Sequence, residues 1–241
     1  MRRITIYALG AAMLVAFSGC SVDIGSGHFR RIYRARVPAA GLRQIEIKGE
    51  NGDVYATGAN VDTIEVLAKI ETSDFAALPH DTVLLARAGG TETISSSCST
   101  ARAFIWQLQN CGVDYQIVYP RRLHITVAVT NGDIHIAAAA APLKASTTNG
   151  DIAIRDASSD IAARTHQGDV SASLAPKWAG RGIAIETTFG DATLRTPPDF
   201  RAVVHAHTVA GDTPETSSIP VGPAHVTITT TFGDVTIRND S

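Results

Sequence analysis

Thr130-Asn131-Gly132-Asp133-Ile134-His135-Ile136 and Thr148-Asn149-Gly150-Asp151-Ile152-Ala153-Ile154 lie 18 residues apart and follow one grammar. The Gly-Asp pair returns at Gly168-Asp169, Gly190-Asp191, Gly211-Asp212 and Gly233-Asp234, with an outlier far upstream at Gly52-Asp53. Successive glycines in the second half are separated by 18, 18, 22, 21 and 22 residues, so one supersecondary unit is being repeated. A repeat of that length buries its apolar face only against its neighbours, which makes an elongated stack or an array of hairpins.

The residues around each glycine alternate. Seven, five and three positions before it stand, for example, Ile125, Val127 and Val129, or Ile183, Ile185 and Thr187; two and four positions after it stand Ile134 and Ile136, or Ile152 and Ile154. Period-two patterning on both sides of a glycine predicts two short strands with one buried face and a tight turn between them. Glycine supplies the positive φ that such a turn needs, and the aspartate after it accepts hydrogen bonds from turn amides. The chain is therefore all-β. Two architectures bury these same residues: a β-solenoid, in which the glycine turns a corner and copies stack in parallel, and an antiparallel hairpin meander or sandwich, for which Asn-Gly is a strong turn signal. The near-constant step favours the solenoid. So does a threonine column at Thr147, Thr165, Thr187, Thr208 and Thr230, placed to hydrogen-bond from coil to coil.

The fifth unit breaks the pattern, because Pro214 and Glu215 fall where apolar strand residues belong. A bulge or broken rung is expected there. In the first half, Thr63 to Ile70, Asp81 to Arg87 and Val113 to Tyr119 read as strands on their β-branched and aromatic content, and Gly89 to Ala101 reads as a loop. With no Gly/Ser/Pro-rich linker, residues 37–241 form one β-repeat domain, and 20–36 form a tether and a first edge strand.

At the N-terminus, Arg2 and Arg3 precede an apolar stretch from Ile4 to Phe17 that ends in Ser18-Gly19-Cys20. A charged start, an apolar run too short to span a bilayer and small residues before a cysteine read as an export signal over residues 1–19. Phe17-Ser18-Gly19-Cys20 resembles the bacterial lipobox, which implies acylation of Cys20, palmitate included, and an anchor to which each buried methylene contributes about 0.8 kcal/mol. Ser21 in place of Asp after the cysteine points, by the same resemblance, to an outer-membrane lipoprotein, read here as facing the periplasm. Cys98 and Cys111, the remaining cysteines, read as one disulfide in an exported chain. Loss of residues 1–19 leaves 19 basic against 23 acidic residues, a mild balance that offers no footprint for nucleic acid.

Ile45-Glu46-Ile47 leading to Asn51-Gly52-Asp53-Val54, then Val118-Tyr119-Pro120 leading to Asn131-Gly132-Asp133-Ile134, then serial Gly-Asp turns, resemble the bacterial putative-adhesin β-strand-repeat family, a domain of unknown function. The resemblance covers nearly the whole mature chain. It implies an extracytoplasmic solenoid-like fold with no established enzymatic activity, and it supplies no catalytic residues.

Chemistry-bearing residues are few. The aspartate row invites a calcium-binding repeat, since hard cations take carboxylates and turn carbonyls, but the nine-residue, glycine-dense period of a calcium β-roll is missing. Arg164 beside Glu186 reads as a rung-to-rung ion pair, and His205 with His207 as solvated histidines lacking a third metal ligand. Phe189 and Phe232 share a turn position two units apart and suggest an exposed aromatic strip. Neither a nucleophile elbow, nor a phosphate loop, nor a zinc-protease motif occurs. The sequence thus predicts a non-enzymatic, lipid-anchored cell-envelope protein, adhesin-like, with a binding or scaffolding surface for an envelope protein or glycan. No cofactor, metal or catalytic residue is expected. The alternatives are an envelope or extracellular polysaccharide-active enzyme on a β-helix and a calcium-binding repeat protein.

Overall fold

The computed structural model describes residues 22–25, 28–72, 82–97, 111–213 and 219–239. The expected signal segment, Cys20, Cys98 and the Pro214-Glu215 pair lie outside them. All the regular structure described is strand.

Seven strands precede a Gly-Asp turn and build one sheet: β3 (Gln44–Asn51), β9 (His124–Asn131), β11 (Leu143–Asn149), β13 (Ile161–Gln167), β15 (Gly182–Phe189), β17 (Ala202–Ala210) and β18 (Ala224–Phe232). Six strands follow a turn and belong to the facing sheet: β4 (Val54–Ala59), β10 (Ile134–Ala137), β12 (Ile152–Ala157), β14 (Val170–Leu174), β16 (Ala192–Thr196) and β19 (Val235–Asn239). Neighbouring strands in each set pair in parallel, in the register that aligning the glycines predicts: Ile125 pairs with Leu143 and Leu143 with Ile161, while Ile134 pairs with Ile152. Parallel stacking settles the choice in favour of the solenoid over the hairpin meander. The inward columns of the interior rungs are sealed, with Ile183, Ile185, Val226 and Ile228 at 0–2% exposure.

The turns explain why stacking wins. Gly150 has φ +143°, and a Cβ there would stand 2.2 Å from the carbonyl oxygen of Gly132 on the neighbouring rung. The glycine is needed both for its dihedral and for the closeness of the next backbone. Asn131 and Asn149 do not share the positive φ, which the turns assign to glycine alone. Their side chains form a ladder instead, Asn149 Nδ2 donating to Asn131 Oδ1 at 2.7 Å and Asn131 Nδ2 to Asn51 Oδ1 at 2.8 Å.

Two placements differ from sequence order. Gly52 is no outlier, because β3 and β4 stack directly beside β9 and β10 across a separation of 80 residues. The Gly211 unit is not an internal broken rung: β17 lies outside β18, and β18 pairs with β15, so the sixth unit sits between the fourth and the fifth. Among the described residues the fifth unit contributes a strand to one sheet only, and β17 is the edge strand of that sheet. Its inward Val204 and Ala206 are accordingly only partly buried.

At the other end the repeat gives way to antiparallel pairing. β2 (His28–Pro38), β5 (Thr63–Thr72) and β8 (Cys111–Pro120) extend the sheet beyond β4, and β1 (Val22–Gly25) covers His28 to Arg31 of β2. The segment expected to be a plain tether thus contains a short strand. β6 (Thr82–Ala88) and β7 (Thr91–Ser97) form a hairpin on β3. This corrects the reading of Gly89 to Ala101 as loop throughout: Gly89 and Gly90 make the turn, and Thr91–Ser97 is strand. The inward position of β7 that pairs with buried Ile45 is Glu92, whose carboxylate is bonded to Arg87 at 2.8 Å.

Candidate functional site

The repeated aspartates converge on one corner, and their work there is structural. Each turn aspartate donates its backbone N–H to Oδ1 of the aspartate on the adjoining rung. Asp133, Asp151, Asp169, Asp191 and Asp234 donate in turn to Asp53, Asp133, Asp151, Asp169 and Asp191, at 2.8 to 2.9 Å. Asp212 donates to Asp234 at 2.8 Å, and Asp53 donates to Asp114 at 3.1 Å. An ionised acceptor makes such a bond about twice as strong as a neutral one. The sequence places the acceptor correctly, but the donor belongs to the next rung rather than to the same turn. The threonine column performs the matching task for the glycines: Thr147, Thr165, Thr187 and Thr208 donate to the carbonyls of Gly132, Gly150, Gly168 and Gly233 at 3.0 to 3.1 Å. Only Thr230 and Thr208 bond hydroxyl to hydroxyl, at 2.9 Å. Among the described residues no three His, Cys, Asp or Glu side chains cluster as metal ligands.

Other predicted features fall into place around this corner. Phe189 and Phe232 are immediate neighbours because the Gly211 rung is displaced outward. Their rings stack at 5.1 Å and 3°, with His166 edge-on to Phe189. Stacking covers one face of each ring, and both residues stay exposed, Phe189 at 45% and Phe232 at 50%, as the sequence suggests. Arg164 and Glu186 are paired at 3.4 Å with both side chains more than half exposed, a geometry worth little in water. His205 and His207 are exposed on β17. Cys111 is buried at the first position of β8, while Cys98, its expected partner, lies outside the described residues.

Sequence reasoning missed a concavity on the outward face of the antiparallel end. A cavity of about 790 Å³ is floored there by β2, β5, β8 and β4. The register aligns an outward row across those strands: Arg34 opposite Leu67, Leu67 opposite Gln116, Gln116 opposite Tyr55, and Tyr55 opposite His135 on β10. A second row runs Arg36, Glu65, Val118, Thr57. Tyr55 is 44% exposed and stacks on the His135 ring at 4.6 Å and 7°, which leaves its other face toward Gln116 and the cavity. Arg36 is paired with Glu65, whereas the exposed Arg34 has no ion-pair partner among the described residues. Burial, and then the carboxylates of Asp53, Asp133 and Asp114, hold the Tyr55 phenol above its ordinary pKa. The groove therefore has a cationic end at β2 and an acidic end where the aspartate ladder begins. Arg34, Leu67 and Gln116 come from strands outside the repeat, whereas Tyr55 and His135 stand on the strands that follow the Gly52 and Gly132 turns.

Fold and corner together define a two-sheeted β-solenoid of Gly-Asp rungs closed at one end by antiparallel strands. The chain belongs to the Toastrack DUF4097 family, whose model matches residues 20–238. It is similar in fold to a putative cell adhesion protein from Clostridium sporogenes, with 12% identity and a TM-score of 0.52 over 88% of this chain and 100% of that one. A putative adhesin from Bacteroides fragilis aligns at 13% identity and a TM-score of 0.33, over 87% of this chain and 97% of that one. No curated protein matches the sequence.

Proposed function

We propose that the chain is a non-catalytic, adhesin-like protein of the cell envelope, acylated at Cys20 and anchored in the outer membrane, whose rigid solenoid presents a binding surface. One observation carries this reading. The only ionisable residue that recurs with the repeat is consumed in holding rung to rung, and the concavity beside it is lined by two arginines, a single carboxylate already paired with Arg36, an amide, a hydroxyl and an aromatic ring, side chains that recognise rather than react. A pair of catalytic carboxylates facing across a cleft, which a polysaccharide-cleaving site requires, has no counterpart in that lining. The adhesin names of the structural neighbours agree with the proposal, as does the lipobox-like end of the sequence.

The test has two arms. Palmitate labelling of cells expressing the full chain is expected to mark the protein and to fail for Cys20→Ser. Capture from envelope extracts is expected to retain a component that the Tyr55→Ala chain does not. Unlabelled protein would overturn the anchor, and capture indifferent to Tyr55 would overturn the surface.

A further inference from the structure

The groove over β2, β5, β8 and β4 has chemistry that selects among ligands, and resting on the reading of that groove as the binding surface, we propose that it takes an acidic oligosaccharide, a glycan with a uronic-acid carboxylate at one end and neutral pyranose units at the other. The argument starts from the row Arg34, Leu67, Gln116, Tyr55. Three inter-strand steps of about 4.8 Å separate its ends, roughly 14 Å, which is the reach of a short oligosaccharide rather than of a single sugar. At one end the Arg34 guanidinium is exposed and has no ion-pair partner among the described residues, and its planar fork matches a carboxylate. Arg36 stands beside it with its charge already answered by Glu65.

At the other end the open face of Tyr55, held in place by His135 behind it, is a platform for the C–H face of a pyranose ring. Between them Leu67 and Val118 offer apolar floor, and Gln116 and Thr57 offer both donors and acceptors to hydroxyl groups. Asp53, Asp114 and Asp133 surround the Tyr55 end, so a ligand with charge along its whole length is repelled there. That excludes a uniformly charged polyanion and fixes the polarity of the bound chain, carboxylate toward β2. A peptide fits less well, because β5, β8 and β4 are paired on both edges and offer no main-chain ladder to extend.

Calorimetric titration of the full chain in detergent with trisaccharides that carry a single terminal uronic acid (galacturonate, glucuronate or mannuronate) on two neutral hexoses, each beside its carboxyl-reduced neutral counterpart, tests the assignment. At least one acidic trisaccharide is expected to bind, and its neutral counterpart to bind at least tenfold more weakly. Arg34→Gln should abolish that preference while leaving the neutral sugar unchanged, and Tyr55→Ala should weaken both. Arg164→Gln, on the outward face of the other sheet, should change neither and reports that the fold is intact. Absence of binding by every acidic trisaccharide, or an acid preference that survives Arg34→Gln, overturns the inference. If the sugars fail while an envelope protein is still captured in a Tyr55-dependent manner, the binding surface stands and the glycan assignment alone falls; if capture is also indifferent to Tyr55, both fall.

Discussion

Replacing Gly150 with alanine should damage this protein far more than its single added methyl suggests. The new Cβ would lie 2.2 Å from the Gly132 carbonyl oxygen, 2.6 Å from its carbon and 3.0 Å from Asp133 Oδ1, all on the adjoining rung. Backbone cannot swing aside as a flexible side chain can, so the two rungs must separate at the corner. A φ of +143° adds a backbone cost of about 1–3 kcal/mol for a residue with a Cβ, and overpacking adds about 1–3 kcal/mol more. Separation also stretches the bond from Thr147 Oγ1 to the Gly132 carbonyl and that from the Asp151 amide to Asp133. The expected loss is about 4 kcal/mol. Two glycines calibrate it. Gly41 has φ +77° with open space around it, so Gly41→Ala should cost about 1–2 kcal/mol from the dihedral alone. Gly182 has open space and no positive φ, so Gly182→Ala should be neutral or stabilising by up to about 1 kcal/mol. Urea unfolding followed by circular dichroism reads all three, as midpoint shifts at unchanged slope. A Gly150→Ala loss no larger than that of Gly41→Ala would refute the claim that the neighbouring backbone demands glycine over and above the dihedral.

Asp151→Ala removes the acceptor of the Asp169 amide, and should cost about 1–3 kcal/mol; Asp151→Asn retains an acceptor oxygen and should recover part of that in the same unfolding assay. The Tyr115 hydroxyl is buried with no partner at good hydrogen-bonding geometry among the described residues, and burial, opposed by the Ser96 side chain, pushes its phenol from 10.0 up to about 12. An acid whose folded pKa is raised keeps its proton while the unfolded chain loses it, so stability present below pH 10 drains away as pH rises toward 12, by about 3 kcal/mol. Tyr115→Phe should be neutral or stabilising at pH 7 and should lack that alkaline decline, as paired unfolding curves from pH 8 to 12 would report. The Arg164 and Glu186 double-alanine cycle should return a coupling below about 0.5 kcal/mol that vanishes in molar salt.

The repeat was legible because its signal is local. Alternation around each glycine lies within a dozen residues, and six copies let one column check another. What hid from the sequence depends on partners far along the chain. Thr91–Ser97 resembles a loop because serine and threonine dominate it and its inward position carries Glu92. The strand forms by pairing with β3, 47 residues upstream at Gln44 and Thr91, while Arg87 answers the carboxylate from across the same hairpin. Phe189 and Phe232 were matched correctly by turn position, yet their contact depends on a rung exchange that no spacing records. The groove was invisible for the same reason, since Arg34, Leu67 and Gln116 meet through antiparallel pairings that follow no repeat, and Tyr55 joins them where β8 pairs in parallel with β4.

The exchange of the last two rungs bears on how the molecule can be assembled. Synthesis delivers β17 before β18, yet β18 must lie beneath it, so a growing column cannot be completed by laying each new piece on top of the one before. β17 carries Val204, Ala206, Thr208 and Gly211 in the same columns as its neighbours, and it is therefore a competent early tenant of the edge of β15. What displaces it is a pair of strands that answers both sheets. Only the β18 and β19 pair covers β15 and β16 together, and the late arrival takes the inner berth by closing both walls at once.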